Sequence, residues 1–147
     1  MTTSEDQGRA RVHKQQFVRR ATSVARARSF VANLLAAITD DGLAADIRLC
    51  VSELATNALR YGPRGRDFLV RVATHDNVVR IEVHDASDSA PRVCAPTRND
   101  DHGRGLLVVA ALADGWGVSG RTGSGKVVWA EFKVNATTLT ARSRPPA

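Results

Sequence analysis

The sequence predicts an α+β two-layer sandwich: a mixed, mainly antiparallel sheet with helices on one face. Two observations carry this. The first sixty residues hold two stretches with apolar residues at helical spacing. The rest holds four runs of alternating polar and apolar residues, interrupted once by a short apolar helix. Runs of antiparallel strands with helices packed to one side form two layers around one core. A chain of 147 residues, 43% hydrophobic and 24% charged, suffices for one soluble domain of this kind.

The elements follow in order. Residues 1–14 are polar and are expected to be a loose N-terminal segment, with the domain running from 15 to 134. Over residues 23–38, Val24, Ala27, Val31, Leu34, Leu35 and Ile38 recur on one helical face. "TDDGL" breaks this helix, with Gly42 as a C-terminal stop. A second helix, over about 44–60, aligns Ile47, Val51, Leu54, Ala55 and Ala58, and Gly62-Pro63 ends it. "DFLVRVATH" and "NVVRIEVHD" place Phe68, Val70 and Val72, then Val79, Ile81 and Val83, on single faces. The "HDN" between them is a hairpin turn. A polar loop with Pro91 and Pro96 spans 86–102, and loops of this length inside a domain are often functional. "GRGLLVVAALAD" reads as glycines leading into a helix, and "GWGVSG" and "KVVWAEFKV" as two strands around "RTGSG". Residues 135–147 are expected to be a disordered tail.

The net charge is +6 and the pI about 10.3. The charge is dispersed, and neither an aromatic stacking platform nor a basic recognition helix accompanies it, so a nucleic-acid binder rests on pI alone. The two cysteines, Cys50 in a helix and Cys94 in a Pro-flanked loop, lack metal-ligand spacing. No apolar run has membrane-spanning length and the N-terminus is no signal peptide, so a reducing cytoplasm is expected. The four histidines show no pairing, and no phospho-accepting histidine segment is expected.

"GRTGSGKV" nearly matches a phosphate-binding P-loop, but Val127 stands where that loop needs a hydroxyl, and a strand pattern rather than a helix follows. It reads as a hairpin turn. Glu53 and Asn57 lie four apart, on one face of the second helix, beside the stripe of Val51, Leu54 and Ala58. An amide oxygen and a carboxylate one turn apart suit a hydrated Mg²⁺ site, the Asn as hard ligand and the Glu as base. The same spacing is common on ordinary helix surfaces. Asp85 ends an alternating strand, where it could accept a hydrogen bond from an exocyclic amine or start a turn. Gly103 and Gly105 precede a helix, where with Arg104 they would let anionic oxygens approach, or simply close a flexible loop.

Taken in order, helical E-x-x-x-N-A, a strand ending in Asp, a loop, and G-x-G-L entering a helix resemble the GHKL (Bergerat-fold) ATP-binding superfamily. "RSFVANLL", "LCVSELATNALRYG", "GRGLLVVAALADGWGV" and "GKVVWAEF" look like the anti-sigma-factor serine kinases within it, over residues 17–134. The resemblance implies ATP and Mg²⁺ as cofactors. It implies Asn57 as metal ligand, Glu53 as catalytic base toward a protein serine, and Asp85 as acceptor of the adenine amino group. Gly103, Arg104, Gly105 and Leu106 would lie by the phosphates. It further implies an anti-anti-sigma substrate, a sigma-factor partner and homodimers, with no direct contact to nucleic acid or membrane. The loop after Asp85 reads "DASDSAP", with Ser87 and Ser89 where the family commonly has glycine. That departure keeps a second reading open: an ATP-binding regulator that acts by protein contact without catalysis.

Overall fold

The computed structural model describes residues 11–38, 40–61, 65–85, 101–120 and 125–134, with backbone only at 101–104. Five strands and three helices alternate as β1 (Arg11–Phe17), α1 (Thr22–Leu34), α2 (Asp41–Tyr61), β2 (Phe68–His75), β3 (Val78–Asp85), α3 (Asp101–Leu112), β4 (Gly115–Gly120) and β5 (Lys126–Lys133). The strands form one sheet in the order β1-β2-β3-β5-β4. Every described pairing is antiparallel, so the expected mixed sheet resolves to an antiparallel one. The α+β class stands.

The core is the stripe that helical and strand periodicity mark out. Ala27, Val31, Ile47, Val51, Leu54, Ala55, Phe68, Val70, Val72, Val79, Ile81 and Val83 are all buried. They form one cluster with Val109, Val128, Ala130 and Phe132. Helix α2 packs between α1 and α3 and lies over β3 and β5. Cys50 is a free, buried thiol in this cluster. The β2–β3 hairpin turns on Asp76 and Asn77, with φ of 49° and 63°. Two consecutive positive φ values mark a type I′ turn, whose twist matches that of the strands, and Asp and Asn tolerate them.

Three expectations are corrected. Residues 11–14, assigned to the loose N-terminal segment, belong to β1, which pairs with β2 from Arg11↔Thr74 to Phe17↔Phe68. In this edge strand only Phe17 is buried, so no apolar alternation announces it. Phe17 anchors the strand by stacking on Phe68 at 5.6 Å and meeting Phe30 edge-on at 6.0 Å. Gly42 does not stop α1; it sits in the first turn of α2, because Asp40 caps that helix. The Leu43 N–H donates to Asp40 Oδ1 at 3.0 Å, and the Ala44 N–H to the Asp40 carbonyl at 2.9 Å. Helix α3 begins at Asp101, so Gly103 and Gly105 lie inside it rather than before it. The other end of α2 is held by the Arg19 guanidinium, which donates from Nε to the Leu59 carbonyl at 2.9 Å and also from Nη2. A cation there satisfies a terminal carbonyl and suits the helix dipole.

The sheet face away from the helices carries its own polar network. Glu82 accepts from Arg80 at 2.8 Å and Arg71 at 3.3 Å, and meets His84 at 2.7 Å. The Arg80 guanidinium also reaches Glu131 at 3.1 Å and covers the Trp129 ring at 4.2 Å. Trp129 lies flat over Gly117, where an added Cβ would come within 2.7 Å of the ring.

Two tests follow from the packing. Leu54→Ala removes a side chain only 1% exposed, and should lower stability by about 3 kcal/mol in chemical denaturation. Burial opposes the ionisation of Glu82, but hydrogen bonds from Arg80 and His84 and the charge of Arg71 outweigh it, holding the carboxyl below its ordinary value of 4.5. A depressed folded value stabilises fully above 4.5 and is lost as pH falls through the folded one. The melting temperature should therefore drop as pH falls below that value. Glu82→Gln should start less stable at neutral pH and decline less over the same interval.

Candidate functional site

The candidate residues stand on three elements: Glu53 and Asn57 on α2, Gly103 to Leu106 in the first turns of α3, and Asp85 at the end of β3; α2 packs against both α3 and β3. Along α2, Val51, Leu54, Ala55 and Ala58 are buried, while Glu53 and Asn57 are half-buried. The polar pair thus flanks the core stripe, directed neither into the core nor straight out to solvent. Four-residue spacing places the two side chains one turn apart on that flank.

Glu53 faces α3. A Cβ built on Gly105 would lie 2.9 Å from Glu53 Oε2. The carboxylate therefore occupies space that any side chain at 105 would take, and this is why glycine is tolerated inside a helix, where it ordinarily costs about 1 kcal/mol relative to alanine. Leu106, the next residue, packs half-buried against the core and fixes the rotation of α3. Gly103 and Arg104 lie in the first turns of α3; the Arg104 side chain is outside the described residues. Ser87 and Ser89 also lie outside them.

Asp85 ends β3 on the helix-facing side and is 3% exposed. Its neighbour His84 faces the other way, into the Glu82 network. Opposite Asp85 stands Lys126, the first residue of β5. The Lys126 ammonium is 3.8 Å from Asp85 Oδ2, and the two side chains are 12% and 4% exposed. Gly125, with φ of 117°, turns the chain into β5 and delivers Lys126 to this register. "GRTGSGKV" lies between β4 and β5, which pair antiparallel with Gly120 opposite Lys126, so a strand and not a helix follows it; residues 121–124 lie outside the described ones. Periodicity does not reveal the Asp85–Lys126 pair. Only the β3–β5 register does, since 41 positions separate the two residues along the chain.

Two other features stand outside this set of residues. A cavity of about 230 Å³ between α1 and the start of α2 is walled by Val31, Leu35, Ile38 and Ile47, with Asp41 and Arg48 among its lining. None of the four site residues Glu53, Asn57, Asp85 or Gly105 lines it. Cys50, one turn before Glu53, has its thiol pushed up to about 11 by burial, then by the charges of Asp46 and Glu53. A thiol that stays protonated is a poor nucleophile, and Cys50 serves as packing. Among the described residues no three His, Cys, Asp or Glu groups gather to hold a metal ion.

Comparison with known proteins places this geometry in context. The family model described as a histidine kinase-like ATPase domain matches residues 17–132. No curated protein matches the chain. Among solved structures, the chain is similar to the histidine kinase domain of the blue-light activated histidine kinase EL346 from Erythrobacter litoralis. The TM-score is 0.50 at 19% identity, covering 84% of this chain and 65% of that one. At that identity the likeness concerns the fold, and the chain spans about two-thirds of the length of the structure it matches.

The contact between α2 and α3 predicts a specific coupling. Gly105→Ala should gain helix propensity but press on the Glu53 carboxylate. In a double-mutant cycle by urea denaturation, it should stabilise the Glu53→Ala background more than the wild type, by about 0.5 kcal/mol or more.

Proposed function

The chain belongs to the histidine kinase-like ATPase domain family, and from that premise we propose that it is an ATP-dependent regulatory protein serine kinase. The family membership implies ATP binding. The finer reading, a kinase of the anti-sigma-factor type that phosphorylates a serine of an anti-anti-sigma partner and sequesters a sigma factor, draws on the sequence motifs. One observation supports it above the others: Glu53 and Asn57 both stand on the flank of α2, with the Glu53 carboxylate against Gly105 of α3.

The residues present fit a nucleotide. Gly105 lets the backbone of α3 close against the Glu53 carboxylate, and the buried Asp85 offers an acceptor at the end of β3, on the helix-facing side. In this reading Asn57 presents its amide oxygen to Mg²⁺, and Asp85 accepts from the adenine amino group. Gly105 and Leu106, with Gly103 and Arg104, border the phosphates. Bound Mg²⁺ would supply charge neutralisation at the phosphates. Glu53 takes the proton of the incoming serine hydroxyl. Its half-buried position leaves the carboxylate reachable by a protein substrate, while the stripe of Val51, Leu54 and Ala58 holds it rigidly. Phosphoryl transfer asks of the protein mainly such positioning. We further propose a homodimer acting in the cytoplasm; among the described residues no helix is long and apolar enough to cross a membrane.

Ser87 and Ser89 in "DASDSAP" favour a second reading, a regulator that binds ATP and acts by contact alone. One experiment separates the two. With γ-labelled ATP, Mg²⁺ and the cognate anti-anti-sigma protein, the wild type should transfer phosphate, and Glu53→Gln should lose at least a hundredfold in rate while retaining the ATP-induced rise in melting temperature. Absence of transfer together with ATP-dependent partner binding that survives Glu53→Gln would replace the kinase by the contact regulator. Asn57→Ala should abolish the part of the thermal shift that depends on Mg²⁺.

A further inference from the structure

We infer that the free edge of β1, with the groove between it and α1, docks an extended acidic peptide segment of another protein, which joins the five-stranded sheet as a further strand. Neither β1 nor α1 carries Glu53, Asn57, Asp85 or Gly105, and the inference does not depend on the ATP-site reading.

The sheet order leaves β1 at an edge, with β2 its one strand neighbour among the described residues. Arg11 to Gln16 are all exposed. An edge strand turns the N–H and C=O of every second residue away from its neighbour, unpaired. Among the described residues no backbone hydrogen bond outside the sheet engages this stretch. Beside it runs an open groove of about 460 Å³. One wall is a flank of α1 at four-residue spacing, with Arg26, Phe30 and Leu34 in one row and Ser29 and Asn33 in the next. Gln15 joins them from the helix-facing side of β1, opposite the buried Val70. Phe30 and Leu34 are half-buried, and the four polar residues are exposed. Such a groove beside a free edge gives a bound strand main-chain partners and a place for its alternate side chains.

Charge selects the occupant. Residues 11–38 hold Arg11, Lys14, Arg19, Arg20, Arg26 and Arg28, with neither aspartate nor glutamate among them. Removing these six from the 21 basic residues leaves 15, equal to the 15 acidic ones. The charge that reads as dispersed along the chain thus has its whole excess of +6 on this unit of the fold. Arg19 and Arg28 turn to α2, at the Leu59 carbonyl and the Ser52 hydroxyl. Arg11 and Lys14 stay exposed on the edge strand and Arg26 in the groove. The carboxylate of Asp67 is engaged by Gln16 at 2.8 Å. An edge so charged attracts a strand that carries carboxylates and repels its own kind. A second copy paired twofold about the centre of β1 would set Lys14 against Lys14. Nor does the groove offer bases a ring to stack on, since Phe30 is half-buried and edge-on to Phe17.

The probe is a fluorescein-labelled heptapeptide of alternating glutamate and valine, titrated with the full chain at low salt and followed by anisotropy. It should bind about tenfold or more tightly than its lysine–valine counterpart. It should also bind about tenfold or more tightly than the same peptide N-methylated at every residue, which keeps the charge but has no N–H to donate. Lys14→Glu and Arg26→Glu change exposed side chains, where stability is little affected, and each should weaken binding about tenfold. Amide exchange over Arg11 to Gln16 should slow in the complex. Equal binding of the N-methylated peptide would reduce the contact to charge alone and overturn strand addition. Tighter binding of an oligothymidylate of equal charge would assign the surface to nucleic acid instead. A dimer of the free chain that the peptide dissociates would assign the edge to a second copy. No binding of the acidic peptide would remove the inference and leave the ATP-induced thermal shift, and with it the nucleotide reading, untouched.

Discussion

The burial of one stripe of α2 against the sheet is the constraint on which the rest depends. Ile47, Cys50, Val51, Leu54, Ala55 and Ala58 are each 3% exposed or less. Each large apolar side chain so buried contributes about 1.5–3 kcal/mol, far more than the cost of keeping Glu53 and Asn57 partly out of water. Rotation of α2 about its axis is therefore decided by its apolar residues. The polar pair is carried to the flank as a consequence, at a fixed angle to the sheet and to α3. The polar pair gains its rigidity from a core that contains none of its atoms.

The sheet sorts its charges by the same logic of alternation. On β3, Arg80, Glu82 and His84 point away from the helices and join Arg71 and Glu131 in a network that satisfies itself. Val79, Ile81 and Val83 point toward them and are buried. Asp85 continues the inward series one residue beyond the last valine. It has Lys126 for a neighbour instead of an arginine fork, and it lies within the layer that holds Glu53. One strand thus supplies a structural ion network on one side and a buried carboxylate on the other.

Legibility followed burial. Every element with one buried face was readable, because half-burial imposes a period: 3.6 in α1 and α2, two in β2, β3 and β5. β1 was not, since an edge strand with only Phe17 buried has no reason to alternate; its pairing with β2 comes from backbone groups common to all residues. Gly42 misled because glycine often ends helices, whereas here Asp40 caps the next one. The start of α3 was placed too late for a related reason. Glycine inside a helix is disfavoured locally, and only the proximity of Glu53, 52 positions away, explains Gly105. Within the site, Glu53, Asn57 and Asp85 stood out by type and order.

By itself the sequence determined the two-layer class, the core-facing residues of each regular element and the candidate acid, amide and aspartate, since these follow from local periodicity and from motif order along the chain. The tertiary structure alone decided which groups meet: the Glu53 carboxylate with the backbone of Gly105, and Asp85 with Lys126. Those contacts join residues far apart in sequence through strand register and helix packing, quantities set by the summed burial of the whole core and not by any short stretch of residues.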